Sequence, residues 1–187
     1  MSSEVLSLWQ PTTRLASRDI LNLFATLPCP TLAEMNGEYS ARVIMQPHPL
    51  LNWLAQRAIS NPVYPGQWLC KAFTPVSQTE GRGYNSFYFH GEVIRRFPMQ
   101  TVIAPSRFNG KPAYQLIYSA YDSLCGRINM VDELRRAADG HYLGIGTCGF
   151  SERQRLIPLP FTLSGPNATF NASTPSRWMR RDGNGAG

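Results

Sequence analysis

Beyond Pro65, apolar and polar residues alternate mostly with a period of two, whereas helical spacing is confined to two earlier segments. Between Thr13 and Leu27, the residues Leu15, Ile20, Leu21, Leu23, Phe24 and Leu27 fall on one side at helical spacing. This predicts a short amphipathic helix capped by Ser17. Pro28 and Pro30 stop it, because proline offers no amide to the helix ladder and biases its predecessor toward extended geometry. From Gly37 to Gln46, Tyr39, Ala41, Val43 and Met45 point one way, while Glu38, Ser40, Arg42 and Gln46 largely point the other. That is the signature of a half-buried strand. Pro47 to Ser60 returns to helical spacing and is entered through Pro49, which suits a first-turn position. It predicts a second helix that plugs or lids a barrel end.

The runs Gln67 to Thr74, Tyr84 to Arg95, Met99 to Ala104, Pro112 to Tyr121, His141 to Cys148 and Leu159 to Leu163 are short and rich in aromatic and β-branched residues. Glu80-Gly81-Arg82-Gly83, Asn109-Gly110 and Asp139-Gly140 separate some of them; the latter two are hairpin signals, since glycine, asparagine and aspartate tolerate positive φ best. About seven strands with few helices between them imply a mainly β, antiparallel meander. Closure into a barrel would remove its unpaired edges and leave an interior wide enough for one small ligand. Gly, Asn, Ser, Thr and Arg dominate from Gly165 onward. A single barrel domain over residues 1–164 and a disordered or loosely packed tail over 165–187 are therefore expected.

Composition narrows the partners. The 187 residues suit one domain, and 43% hydrophobic content suits an ordinary core. The net charge of +6 is carried almost wholly by arginine, Lys71 and Lys111 being the lysines. The arginines are scattered singly or in pairs such as Arg95-Arg96, Arg135-Arg136 and Arg180-Arg181, so no nucleic-acid footprint is expected. Cys29, Cys70, Cys125 and Cys148 form no CxxC pair, which leaves zinc or dithiol redox chemistry unsupported. The first 30 residues contain Arg14, Arg18 and Asp19 and no long apolar stretch, so reduced cysteines in the cytoplasm are expected. No run is long enough for a transmembrane helix. No metal or cofactor is called for, and assembly is left open, a homodimer included.

Gly37-Glu38-Tyr39-Ser40-Ala41 and Trp68-Leu69-Cys70-Lys71-Ala72-Phe73, with Tyr118 to Asp122, Met130 to Arg136 and Tyr142-Leu143-Gly144 after them, carry a family resemblance. The chain resembles, over roughly residues 33 to 163, small bacterial proteins named for a GXWXG motif and an adjoining domain of unknown function. Tyr39 and Ala41 stand where the motif has tryptophan and its second glycine. The resemblance implies a calycin-type, lipocalin-like barrel with a ligand pocket, and implies no particular reaction.

Several side chains are candidates for chemistry. Tyr114, Leu116, Tyr118, Ala120 and Asp122 form the more apolar face of their run, which would bring Asp122 to one end of the cavity. A carboxyl beside apolar walls favours its neutral form and suits a general acid, although Asp122 also suits a turn cap before Ser123. His90 is a natural proton shuttle near neutral pH, if its face of the strand points inward. Asp132, Glu133, Arg135 and Arg136 form a dense charged patch in which mutual salt bridges are the plain expectation. Asp132 is the better of its two carboxylates for catalysis, through its place in the family-like segment. Tyr39, Tyr88 and Tyr118 are expected to bind a ligand, with Trp68 and Phe73 as wall, provided a bulge lets both of these point inward. Lys71 matters as an amine only if buried. Gly144-Ile145-Gly146 lacks the sequel of a phosphate loop and reads as strand.

Two functions from different classes fit. One is a cofactor-independent isomerase or lyase using acid–base chemistry on a small hydrophobic, terpenoid-, lipid- or polyketide-like substrate. The other is a non-catalytic carrier with the same pocket.

Overall fold

The structure, a computed structural model, describes residues 16–44 and 66–173. Within them the chain forms α1 (Ser17–Thr26), β1 (Gly37–Val43), β2 (Gln67–Pro75), β3 (Glu80–Phe89), β4 (Glu92–Pro105), β5 (Pro112–Ile117), a 3-10 turn (Tyr118–Ala120), α2 (Leu124–Arg127), β6 (Val131–Ala138), β7 (His141–Thr147), a second 3-10 turn (Gln154–Leu156) and β8 (Leu159–Ala168). The strands pair with their sequence neighbours, all antiparallel, and β8 closes on β1. The expected antiparallel barrel is therefore present, closed by eight strands. The helix expected over 47–60 lies outside the described residues.

The strand read as Tyr84 to Arg95 is two strands. His90 and Gly91 both have positive φ, 49° and 88°, and form a two-residue turn between β3 and β4, with Phe89 paired to Glu92. Histidine is an uncommon residue for that turn, which hid it in the sequence. Met99 to Ala104 is the far half of the same β4. Gly81 to Gly83, expected as a turn, lie inside β3, and Val76 and Ser77 amides bond the Glu80 carbonyl to make the turn instead.

The charged run Val131–Ala138 is the strand absent from the expected set. Its alternation is real but its polar residues are buried on both faces. Leu134 and Asp132 face the barrel interior with Leu163, Tyr142 and Tyr114. Glu133 and Arg135 face outward and are covered. Glu133 accepts from the Ser106 hydroxyl, the Arg107 amide at 2.7 Å and Gln115. Arg135 donates to the carbonyls of Phe24, Ala25 and Leu27 at 3.1–3.3 Å and lies over the Phe24 ring. It thus caps the carbonyl end of α1, where a cation meets the negative end of the helix dipole. The expected mutual salt bridges do not form: Asp132 pairs with Lys71 and Arg136 with Glu34.

α1 lays Ile20 and Phe24 on the outer face of β7 against Leu143 and Ile145, with Ile44. Ser17 is its first helical residue rather than its cap, and no side chain caps that end. The tail boundary also moves. Residues to Ala168 continue β8, paired with Glu38, and Phe170 stacks on Tyr84 with ring centroids 4.9 Å apart. Backbone pairing holds this stretch despite its low apolar content. No described helix is long and apolar enough to cross a membrane.

Candidate functional site

Inside the barrel, the two ends differ. Toward the end where β1 starts, Tyr39, Phe73, Tyr114 and Tyr142 meet edge-on or tilted at centroid distances of 5.6–5.7 Å. Met35, Leu134, Leu163 and Met99 fill the gaps and are fully buried. Toward the opposite end the lining is Trp68, Phe87, Phe97 and Phe161, flanked by the partly buried Val43, Ile94, Cys125 and Met130. A polar cluster sits among them.

That cluster begins with a bulge. The register of β2 against β3 shifts between Trp68 and Cys70. A one-residue slip reverses the facing of everything before it, so Trp68 joins Lys71 and Phe73 inside, the arrangement the sequence allows only with a bulge. Lys71 is consequently a buried interior lysine, 2% exposed. Its ammonium donates to Asp132 Oδ2 at 2.7 Å, to the Tyr118 hydroxyl at 2.6 Å and to Asn85 Oδ1 at 3.0 Å. It also lies 5.2–5.3 Å from the ring centroids of Trp68, Tyr118 and Phe161, where aromatic faces favour a cation.

The partners are fixed by what each atom is able to donate. Lys71 Nζ and Trp68 Nε1 only donate, so the Asn85 oxygen must face both, the indole at 3.1 Å. The Asn85 amide nitrogen then donates to the Tyr118 oxygen at 3.2 Å and to the Phe97 carbonyl. With its oxygen accepting from Lys71 and Asn85, Tyr118 sends its own proton to Asp132 Oδ2, 3.0 Å away. Burial, and next the Asp132 charge, hold the Tyr118 phenol well above its ordinary pKa, so it stays a neutral donor. Burial and the same carboxylate push the Cys125 thiol up to about 12 and raise that of Cys148, and neither thiol bonds Asp132.

One atom of this network has no partner among the described residues, the buried Asp132 Oδ1. Gly146 on β7 faces it, and a methyl group there would stand 2.9 Å from that oxygen. Gly144, the preceding inward position, leaves room for the Phe161 ring, which a Cβ would meet at 2.3 Å. The glycine-rich run is thus strand, shaped to admit an aromatic ring and to place no side chain against a buried carboxylate oxygen.

Of the residues singled out in the sequence, Asp132, Tyr118 and Trp68 converge here. Tyr39 and Phe73 are interior but belong to the aromatic end, where the Tyr39 hydroxyl donates to the Glu34 carbonyl at 3.1 Å. Tyr88 is 49% exposed on the outer face. His90 sits exposed in its turn, its ring against Phe89. Asp122 does not line the interior: β5 stops at Ile117, the 3-10 turn rotates the chain, and Asp122 pairs at the surface with Arg127 at 3.1 Å. Lys71 and Asn85 are the members that sequence reasoning did not place in the site. For Lys71 the signal was a lone lysine in an otherwise apolar strand, and Asn85 carried none. Among the described residues, no group of three His, Cys, Asp or Glu side chains is placed to hold a metal ion.

A closed antiparallel barrel with a buried Lys–Asp–Tyr network defines the molecule at this level. No family model matches the chain, and no curated protein does. Among solved structures, the chain is similar to a protein from Thermomonospora curvata known by its crystal structure, with a TM-score of 0.53 and 14% identity over 81% of this chain and 88% of that one. That likeness shows the barrel fold.

Proposed function

We propose that this protein is a cofactor-independent isomerase or lyase that performs acid–base chemistry on a small, largely apolar molecule held in the Lys71 half of the barrel. The observation that carries the proposal is the unpartnered Oδ1 of a fully buried Asp132 whose other oxygen is held by Lys71 and Tyr118. Burying a charged pair is costly, and a purely structural core does better with apolar side chains of similar volume. Asp132 is cast as the base. Lys71 and Tyr118 hold its other oxygen in place, and the aromatic walls exclude water from the anion formed when it takes a proton. Returning that proton at another atom gives an isomer, and loss of a neighbouring group gives a lyase. The GXWXG-type, calycin-like kinship and a cytoplasmic setting belong to the same proposal.

A carrier without turnover is the second reading. What favours it is that every donor of Lys71 and Tyr118 is already engaged within the protein. Native mass spectrometry of the full chain purified from its own host tests both. The enzyme reading expects a bound small molecule that wild-type protein converts and Asp132→Asn does not. A bound molecule returned unaltered establishes the carrier, and absence of any bound molecule counts against both.

A further inference from the structure

We infer that the group meeting Asp132 Oδ1 is a hydrogen-bond donor, so that the ligand is an apolar molecule bearing a hydroxyl or N–H and not one recognised through a carbonyl or ether oxygen. This deepens the proposed function and rests on it.

The cluster's donors are all spent and one of its acceptors is not. Lys71 spends its three protons on Asn85, Tyr118 and Asp132. Tyr118 spends its one on Asp132. Trp68 gives its indole proton to Asn85, and Asn85 gives its two to Tyr118 and Phe97. No proton in the cluster is left over for a ligand's carbonyl, whereas one acceptor is, Oδ1. The titratable groups around it, Lys71, Arg107, Tyr118, Cys125 and Cys148, leave it unbonded. An unmatched buried acceptor selects a ligand with a donor and rejects its isostere without one, since the isostere leaves the carboxylate unpaired. Gly146 places no side chain against that oxygen.

The test uses matched probe pairs on the full-length protein by calorimetry and ligand-observed NMR: cyclohexanol with cyclohexanone, indole with benzofuran, 2-naphthol with 2-fluoronaphthalene. The donor member of a pair is expected to bind roughly tenfold to a hundredfold tighter, the worth of one hydrogen bond to a charged acceptor. Asp132→Asn should reverse the order. Lys71 and Tyr118 demand an acceptor at the Oδ2 position, which turns the new amide NH2 toward the ligand. Gly146→Ala, whose methyl group would crowd Oδ1 while every polar side chain of the cluster is retained, should weaken the donor member selectively and serves if Asp132→Asn does not fold. Equal binding of both members, or an order unchanged in the variants, overturns the inference while leaving the pocket. Failure of every probe to bind overturns the proposed function as well.

Discussion

The two halves of the barrel interior are built from the same kinds of strand and solve opposite problems. In one, Tyr39, Phe73, Tyr114 and Tyr142 pack ring against ring, and the hydroxyls of Tyr39 and Tyr142 reach out to Glu34. In the other, buried aromatics surround a lysine, an aspartate and a phenol. The first half buries no charge, although its Tyr114 hydroxyl is also without a hydrogen-bond partner among the described residues. The second takes on the desolvation of two charges, which only good hydrogen bonding offsets, and still leaves one oxygen unmatched. Aromatic packing alone would have closed the barrel. The polar half is therefore where function is to be sought.

The comparison is broken most directly at Lys71. Lys71→Met strands a buried carboxylate, and a loss of about 3–5 kcal/mol is expected from urea unfolding, together with loss of the bound molecule. The double variant Lys71→Met/Asp132→Leu removes both charges and should recover to within about 1–2 kcal/mol of wild type, Tyr118 and Asn85 then being short of partners. If the double variant is as unstable as the single one, the pair is a stabilising feature and the contrast between halves fails. Phe73→Ala in the aromatic half should cost about 3–5 kcal/mol by cavity formation. It should leave ligand occupancy and the donor preference unchanged at temperatures below its unfolding, which the same native mass spectra would report.

Alkaline titration sharpens the contrast further. Burial, and then the bond to Glu38, raise Tyr84 to about 12, and burial raises Tyr39, Tyr114, Tyr118 and Tyr142 as well. An unfolded phenol ionises near 10. Above that pH the unfolded chain gives up protons that the folded chain keeps, so stability holds below roughly pH 10 and falls as pH rises toward 12 and beyond. Phenolate absorbance should therefore grow together with the loss of circular dichroism. Tyr118→Phe should remove one such group and ease the alkaline decline, yet weaken binding, whereas Tyr114→Phe should ease it without touching the ligand.

Much of this was legible in the chain. Alternation around Tyr39 and around Tyr114, Leu116 and Tyr118 put the right residues inside, because period two has only one interior solution for each strand. The antiparallel barrel followed from the number of such runs. What was illegible came from departures from that period. The bulge beyond Trp68 brings it inside with Lys71, and no residue type announces it. The His90 turn used an unusual residue. β6 hid because its outward charges are buried beneath a helix end and a loop, so it lacked the wet face by which a strand is recognised. Asn85 gains its importance only from partners on other elements: Trp68 and Lys71 on β2, Phe97 on β4 and Tyr118 in the 3-10 turn.

The smallest effects are expected at the two acid–base candidates that the sequence favoured. Asp122 and His90 lie in connections at the same end of the barrel as the polar cluster, the first after β5 and the second between β3 and β4. Nearness to that end is not what matters on the present reading. A carboxylate in water paired with Arg127 is screened, and an exposed imidazole meets solvent before it meets a ligand. Asp122→Asn should leave the unfolding midpoint and ligand binding where they are. His90→Asn should do the same, asparagine being chosen because it tolerates the positive φ of that turn. A loss of binding in either variant, measured with the same probes, would mean that the rim and not the buried carboxylate makes the decisive contact, and the division of the barrel into an inert half and a working half would then have to be redrawn across its end.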